Sequence, residues 1–272
     1  MNHLSRELKR IEMDILAQFL RICGELNLRY YIIGGTLLGA VRHQGFIPWD
    51  DDIDVGMPRA DYEVFLREGQ KYLGNPYFLQ TYLTDPEFTV NFAKIRNTNT
   101  TFLETSLRGR HMNHGVYIDI FPLDFYPDDR RTEKKLRLKN WFYSGRIAAT
   151  FYYNQPLPLH SRVKHFACRL VHPSVSSVLQ AREELFCFVK NGSRVVNHCG
   201  AWGDKEIMPS QWYGEGCELE FEGLKVTGPK DYHNYLTQMY GDYMKLPPEE
   251  ERKGHHYCDV IDLAKPYTEY IT

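Results

Sequence analysis

Apolar residues at Leu8, Ile11, Ile15, Phe19, Ile22 and Leu26 recur at steps of three and four, which predicts an amphipathic helix from residue 5 to about 26. The period then changes. RYYIIG (29–34) is a short β-branched and aromatic run stopped by Gly34-Gly35, the pattern of a buried strand, and TLLGAVRH (36–43) returns to helical spacing. The two glycines therefore occupy a strand-to-helix turn. Gly45 and Pro48 break the second helix, and DIDVGM (52–57) predicts a strand that begins inside an acidic run. Pro58 suits the first turn of a helix with Tyr62, Phe65, Leu66 and Leu73 turned inward. YFLQTYL (77–83), VNFAKIRN (90–97) and VYIDIF (116–121) predict three further strands.

After Pro127 the character shifts. Residues 130–153 read as a helix that is basic at first (Arg130, Arg131, Lys134, Lys135, Arg137, Lys139) and aromatic later (Trp141, Phe142, Tyr143, Phe151, Tyr152, Tyr153). A helical pattern continues over 160–190 with a break near Pro173, CELEFEGLKV (217–226) predicts a hairpin, and 229–240 a last helix before the loop 241–257. No internal repeat or low-complexity linker interrupts the chain.

Composition narrows the function classes. With 272 residues, 43% of them hydrophobic and 14% aromatic, the chain can bury a full core. Its 33 basic and 35 acidic residues leave a net charge of −2, so no global field recruits nucleic acid, and charged partners must be met locally. The six cysteines form no C-x-x-C pair and read as reduced thiols. The first residues lack the apolar core of a signal peptide, and no apolar run reaches the ~18 residues of a membrane span, so a cytoplasmic location is expected.

The candidate chemistry lies in Asp50, Asp51, Asp52 and Asp54. On a continuous strand, alternation puts Asp50, Asp52 and Asp54 on one side and Asp51 on the other. Such carboxylates repel one another unless water or a cation offsets them. A solvated turn is one reading, although Ile53, Val55 and Met57 alternate against the acids as on a half-buried strand. A calcium loop is a second, with Asp50, Asp52, Asp54 and Asp61 at ligand positions, but Val55 stands where the loop needs glycine. A magnesium or manganese site for phosphoryl chemistry is the third, with Asp52 and Asp54 as its bridging carboxylates. Gly34, Gly35 and Thr36 at a helix N-terminus then offer backbone N–H groups and a hydroxyl to a phosphate.

The order G-G-T, helix, D-x-D resembles the nucleotidyltransferase superfamily, and the string GGTLLGAVRHQGFIPWDDDIDVGMPRADYEVF (34–65) resembles the LicD family of bacterial phosphocholine transferases. Fukutin-type ribitol-phosphate transferases are its distant relatives. The resemblance continues in YIDIFPLD (117–124), in 220–248, and in Arg252, His255 and His256; it is weakest over about 128–200. It implies an α+β fold, a small mixed sheet flanked by helices, with 1–127 as catalytic core, 128–200 as a helical insertion toward the acceptor or a membrane surface, and 201–272 completing the catalytic unit. A third acid from a neighbouring strand is implied, with Asp119 as candidate and Asp124 in reserve; a salt bridge to a core Arg or Lys is the other reading of Asp119.

The implied reaction moves phosphocholine from CDP-choline to a hydroxyl of a saccharide of the teichoic acid or lipopolysaccharide type, lipid-linked, and releases CMP. Mg2+ or Mn2+ would be held by Asp52, Asp54 and Asp119, with Asp119 or Asp50 orienting or deprotonating the hydroxyl. Arg42, Lys94, Arg96 and His255 would meet donor phosphates or close over the site. Alternatives are transfer of another CDP-linked polyol phosphate such as ribitol phosphate, or nucleotidyl transfer from an NTP. Trp49, Phe121 and Tyr126 are among many aromatics able to face a choline. The basic helix of 130–153 fits either a peripheral contact at the inner face of the membrane or a solvated surface over core aromatics.

Overall fold

The computed structural model describes residues 3–151, 159–252, 254 and 257–271. Helix α1 (His3–Glu25) buries Leu8, Ile11, Ile15, Phe19 and Ile22, as the periodicity requires. Strand β1 (Tyr31–Ile32) leads through the glycine turn into α2 (Gly34–His43), and β2 (Asp54–Pro58) leads into α3 (Arg59–Tyr72). The strands β3 (Tyr77–Gln80), β4 (Ala93–Asn97), β5 (Thr101–Glu104) and β6 (Val116–Tyr126) follow. The central sheet runs β1-β2-β6-β4-β3. Only β2 and β6 are parallel in this path, so the sheet is mixed and the fold is α+β.

Three helices come next: α4 (Arg130–Phe151), α5 (Leu159–Val171) and α6 (Val175–Phe186). They share a small apolar cluster of Ile147, Cys168, Val178 and Leu179, separate from the main core. The chain then rejoins the sheet through β7 (Arg194–Val196), which pairs with the end of β6 and with β8 (Met208–Pro209). The short α7 (Ser210–Tyr213), the hairpin β9 (Cys217–Phe221) and β10 (Leu224–Gly228), and α8 (Tyr232–Tyr240) pack Tyr213, Phe221, Val226, Tyr235 and Leu236 into the main core. Strand β11 (Cys258–Asp262) pairs with β5 in a separate ladder.

Two expectations are corrected. The strand begins at Asp54 and not within the acidic run, so residues 50–53 are irregular backbone and strict alternation does not apply to them. Asp51 accordingly lies with Asp50 and Asp52 rather than opposite them. The β5–β11 pairing had no local signal, because its partners lie more than 150 residues apart and only tertiary contact selects them. The six cysteines are free thiols, as expected.

A bidentate ion pair fastens the helical region to the sheet. Arg59, at the start of α3, donates from Nε and Nη2 to the two Asp124 oxygens, both at 2.7 Å, and also to Glu183 of α6. Asp124 is 1% exposed, engaged in this pair, and lines neither of the two cavities beside Asp52 and Asp54.

Candidate active site

The site grows from the β2–β6 pairing. Parallel register sets Asp54 beside Asp119, and β4 on the other side of β6 sets Lys94 against Asp119. Lys94 Nζ lies 2.8 Å from Asp119 Oδ1 and 3.2 Å from the centre of the Tyr117 ring. Asp119 thus carries the buried ion pair of the second reading, and it lines the same recess as Asp52 and Asp54. Immediately before β2, ligand oxygens of Asp50, Asp51 and Asp52 lie within 4.8 Å of one another. Burial first, then the carboxylates of Asp52, Asp119 and Asp50, hold the Asp54 carboxyl well above the usual carboxylate range.

The glycine turn is shaped to this cluster. Gly34 has φ +56°, and a Cβ there would stand 3.1 Å from Asp54 Oδ2; at Gly35 a Cβ would stand 2.7 Å from Asp50 Oδ2. A side chain at Gly35 would displace the Asp50 carboxylate, and at Gly34 the positive φ itself disfavours any other residue. Thr36 is tied to the start of β2. It is buried, and its hydroxyl accepts from the Asp54 N–H at 2.8 Å, which fixes that strand end. The Gly34 N–H donates to the Tyr235 hydroxyl, so α8 is tied to the same turn.

Two cavities meet at the acids. The outer cleft, about 870 Å³, is lined by Gly35, Asp50, Asp52 and Asp54 with Arg42, Trp49, Tyr240 and Lys245. An inner recess of about 230 Å³ shares Gly35, Asp52, Asp54, Trp202 and Tyr240 with it and adds Asp119, Phe92, Phe121 and Glu206. Arg42 lies in the outer cleft with Nη1 on the Tyr243 carbonyl at 2.8 Å.

Arg96 is placed differently from its strand neighbour Lys94. It is fully buried, with Nε on Gln80 Oε1 at 2.5 Å and Nη1 on the Gly115 carbonyl at 2.7 Å, and its plane lies over Tyr117. It braces β3, β4 and β6 and lines neither cavity. Of the suggested aromatics, Trp49 lines the outer cleft and Phe121 the recess, whereas Tyr126 is buried with Leu136 and Val196. His255 and His256 lie outside the described residues.

Several site residues escaped the sequence reading. Glu12 of α1 is 2% exposed, and burial together with the nearby Asp52 and Asp51 charges holds its carboxyl well above the ordinary value. Its signal was an acid at helical spacing from Leu8, Ile15 and Phe19, on the buried face. Lys245, Trp202, Tyr240 and Glu206 arrive from distant segments whose proximity to the acids is a product of the fold.

The nucleotidyltransferase domain described for LicD, FKTN and FKRP matches residues 27–171. The chain is 33% identical to the lipopolysaccharide cholinephosphotransferase LicD of Haemophilus influenzae, over 95% of this chain and 98% of that protein. It is 39% identical to the uncharacterized protein RP689 of Rickettsia prowazekii over 38% of this chain and 35% of that protein. A 35-residue stretch is 57% identical to the human ribitol 5-phosphate transferase FKRP, covering 13% of this chain and 7% of that protein.

Proposed function

Because this chain belongs to the LicD family of nucleotidyltransferase-domain proteins, we propose that it is a metal-dependent phosphotransferase. It moves phosphocholine from CDP-choline to a hydroxyl of a cell-surface saccharide, of the lipopolysaccharide or teichoic acid type, and releases CMP. One observation carries this reading: the carboxylates of Asp50, Asp52 and Asp54 meet the Gly34-Gly35 turn at the junction of a nucleotide-sized cleft and a smaller recess.

The oxygen donors fit a hard divalent cation. Ligand oxygens of Asp50, Asp51 and Asp52 lie within 4.8 Å of one another, and beyond burial the charges of Asp52, Asp119 and Asp50 raise the Asp54 carboxyl; Mg2+ or Mn2+ would offset that charge. Asp52, Asp54 and Asp119 would hold it. When bound, such ions polarise phosphoryl oxygens and offset charge on the leaving phosphate. The chain's own residues do the rest. Asp50, on the wall of the outer cleft, orients the acceptor hydroxyl and takes its proton. The hydroxyl oxygen bonds to the phosphorus of the phosphocholine group as the bond to the CMP oxygen breaks, and CMP leaves with the electron pair. Arg42 and Lys245 line the cleft where the CMP phosphate would sit. Lys94 keeps Asp119 in place and offsets its charge.

A lipid-linked acceptor would bring the enzyme to a membrane from the cytoplasmic side. No helix among the described residues is long and apolar enough to cross one. Peripheral contact fits the surface instead: residues 130–190 carry twelve Lys and Arg against three Glu, and α5 exposes Leu159, Val163, Phe166 and Leu170 on one side beside Arg162 and Arg169.

Thermal denaturation with Mg2+ or Mn2+ plus CDP-choline, CDP-ribitol, CTP or CMP tests the donor, since a ligand raises stability by RT ln(1 + [L]/Kd). The expected result is a metal-dependent rise largest with CDP-choline, followed by CMP release when a saccharide acceptor is added. A larger rise with CDP-ribitol would transfer the reading to a polyol phosphate, and with CTP to nucleotidyl transfer. No metal-dependent rise with any of them would overturn it.

A further inference from the structure

The inner recess contains an acid that the proposed transfer does not use. Glu206 is 5% exposed, and its Oε1 accepts from the Trp202 N–H at 3.0 Å. Asn197 also hydrogen-bonds its side chain. No lysine, arginine or histidine among the described residues forms an ion pair with it; the adjacent Lys205 ammonium instead lies on the Met239 carbonyl and over the Trp202 ring. A Cβ at Gly200 would overlap the Glu206 carboxylate where it now lies, so the acid packs directly on the bare backbone of that glycine. A carboxylate taken out of water without a cation is costly. Burial alone pushes it up to about 7, the mark of an acid lacking a positive neighbour.

The walls around it are aromatic. Phe92 and Phe121 lie together with ring centres 4.6 Å apart, and Trp202 meets Tyr240 edge to face at 5.4 Å. All four line the recess with Glu206, and Asp52 and Asp54 line both it and the outer cleft. Aromatic faces attract alkylammonium groups, which need no hydrogen-bond acceptor, and one carboxylate supplies the opposite charge. A neutral polyol would gain nothing from the ring faces and could use only the polar part of the lining, such as Asn197 and the carboxylates.

We infer that Glu206, with Phe92, Phe121, Trp202 and Tyr240, forms the subsite that selects the cationic end of the transferred alcohol. At about 230 Å³ the recess suits a trimethylammonium headgroup and not a nucleoside diphosphate, which leaves the outer cleft for the nucleotide. The inference rests on the phosphocholine reading above and assigns specificity within it.

Calorimetric titration of the full chain, with Mg2+ present, compares phosphocholine with its neutral isostere 3,3-dimethylbutyl phosphate, and uses CMP and CDP-glycerol as controls. The native protein is expected to prefer phosphocholine by about tenfold or more. Glu206→Gln should lose that preference while keeping its affinity for CMP, because the amide oxygen can still accept from Trp202. If the native protein shows no preference, or Glu206→Gln retains it, Glu206 does not read the cation and the inference fails while the transfer reading stands. If the native protein binds CDP-glycerol and CMP but neither small phosphate, the phosphocholine reading itself fails. Should Glu206→Gln not fold, Phe92→Leu decides: a narrowed preference supports the subsite, and an undiminished one overturns it.

Discussion

At the scale of the residue, the acids divide by what surrounds them. Asp52 and Asp54 face both cavities, so Asp52→Asn and Asp54→Asn should each reduce transfer by more than about a hundredfold, the loss of an outer-shell partner being the floor. Both variants should remain folded and lose the Mg2+-dependent rise in melting temperature; full transfer in both would remove the metal assignment. Glu206 makes a different prediction. Its carboxyl titrates near 7 in the fold against 4.5 in the unfolded chain, so the folded state binds more protons between those values. That contribution is present below pH 4.5 and is lost as pH rises through 7, on the order of 3 kcal/mol in all. Glu206→Gln should therefore be more stable than the native protein at pH 8 and lose that advantage toward pH 4.5. A stability difference that does not change with pH would contradict the buried, unpaired carboxylate.

At the scale of the element, strand register decides what the acids can do. The β2–β6 pairing sets Asp54 beside Asp119, and the β4–β6 pairing supplies Lys94. Lys94→Met leaves the buried Asp119 without its cation and should destabilise the metal-free protein by about 3 kcal/mol. Saturating Mg2+ should restore part of the loss, since the ion offsets the same charge. Denaturant unfolding with chelator and with Mg2+ checks this, and an equal loss in both conditions would separate Asp119 from the metal. The Arg59 pairs act between elements: Arg59→Met strands Asp124 at 1% exposure and should cost about 3 to 5 kcal/mol.

At the scale of the whole molecule, charge is unevenly spread. A chain of net charge −2 carries twelve basic and three acidic residues between 130 and 190, beside the apolar side of α5. Cosedimentation with vesicles of anionic lipid should be strong at low salt and fall at high salt, as screening shortens to about 3 Å at 1 M. Phe166→Ser with Leu170→Ser should weaken it severalfold without altering turnover on a soluble acceptor, because α5 lies outside both cavities. Equal binding to neutral vesicles, or none to anionic ones, would remove the membrane surface.

The sequence by itself determined the elements, because apolar spacing is local: α1, the Gly34-Gly35 turn, β2, α3 and the hairpin of 217–228 are all present. It also singled out Asp50, Asp52, Asp54 and Asp119, since acids among apolar strand residues are costly without a purpose. The arrangement of Asp51 was not legible, because the chain leaves strand geometry before Asp54 and periodicity loses its meaning there. Lys94 and Arg96 share a strand face and look equivalent in sequence; only packing sends one to Asp119 and encloses the other between Gln80 and Gly115. Glu206, Trp202 and Tyr240 reach Asp52 and Asp54 across more than 140 residues of chain, where a sequence pattern carries no information about contact. Tertiary structure alone decided that pocket, because a cavity belongs to the surfaces that close around it and not to any one segment.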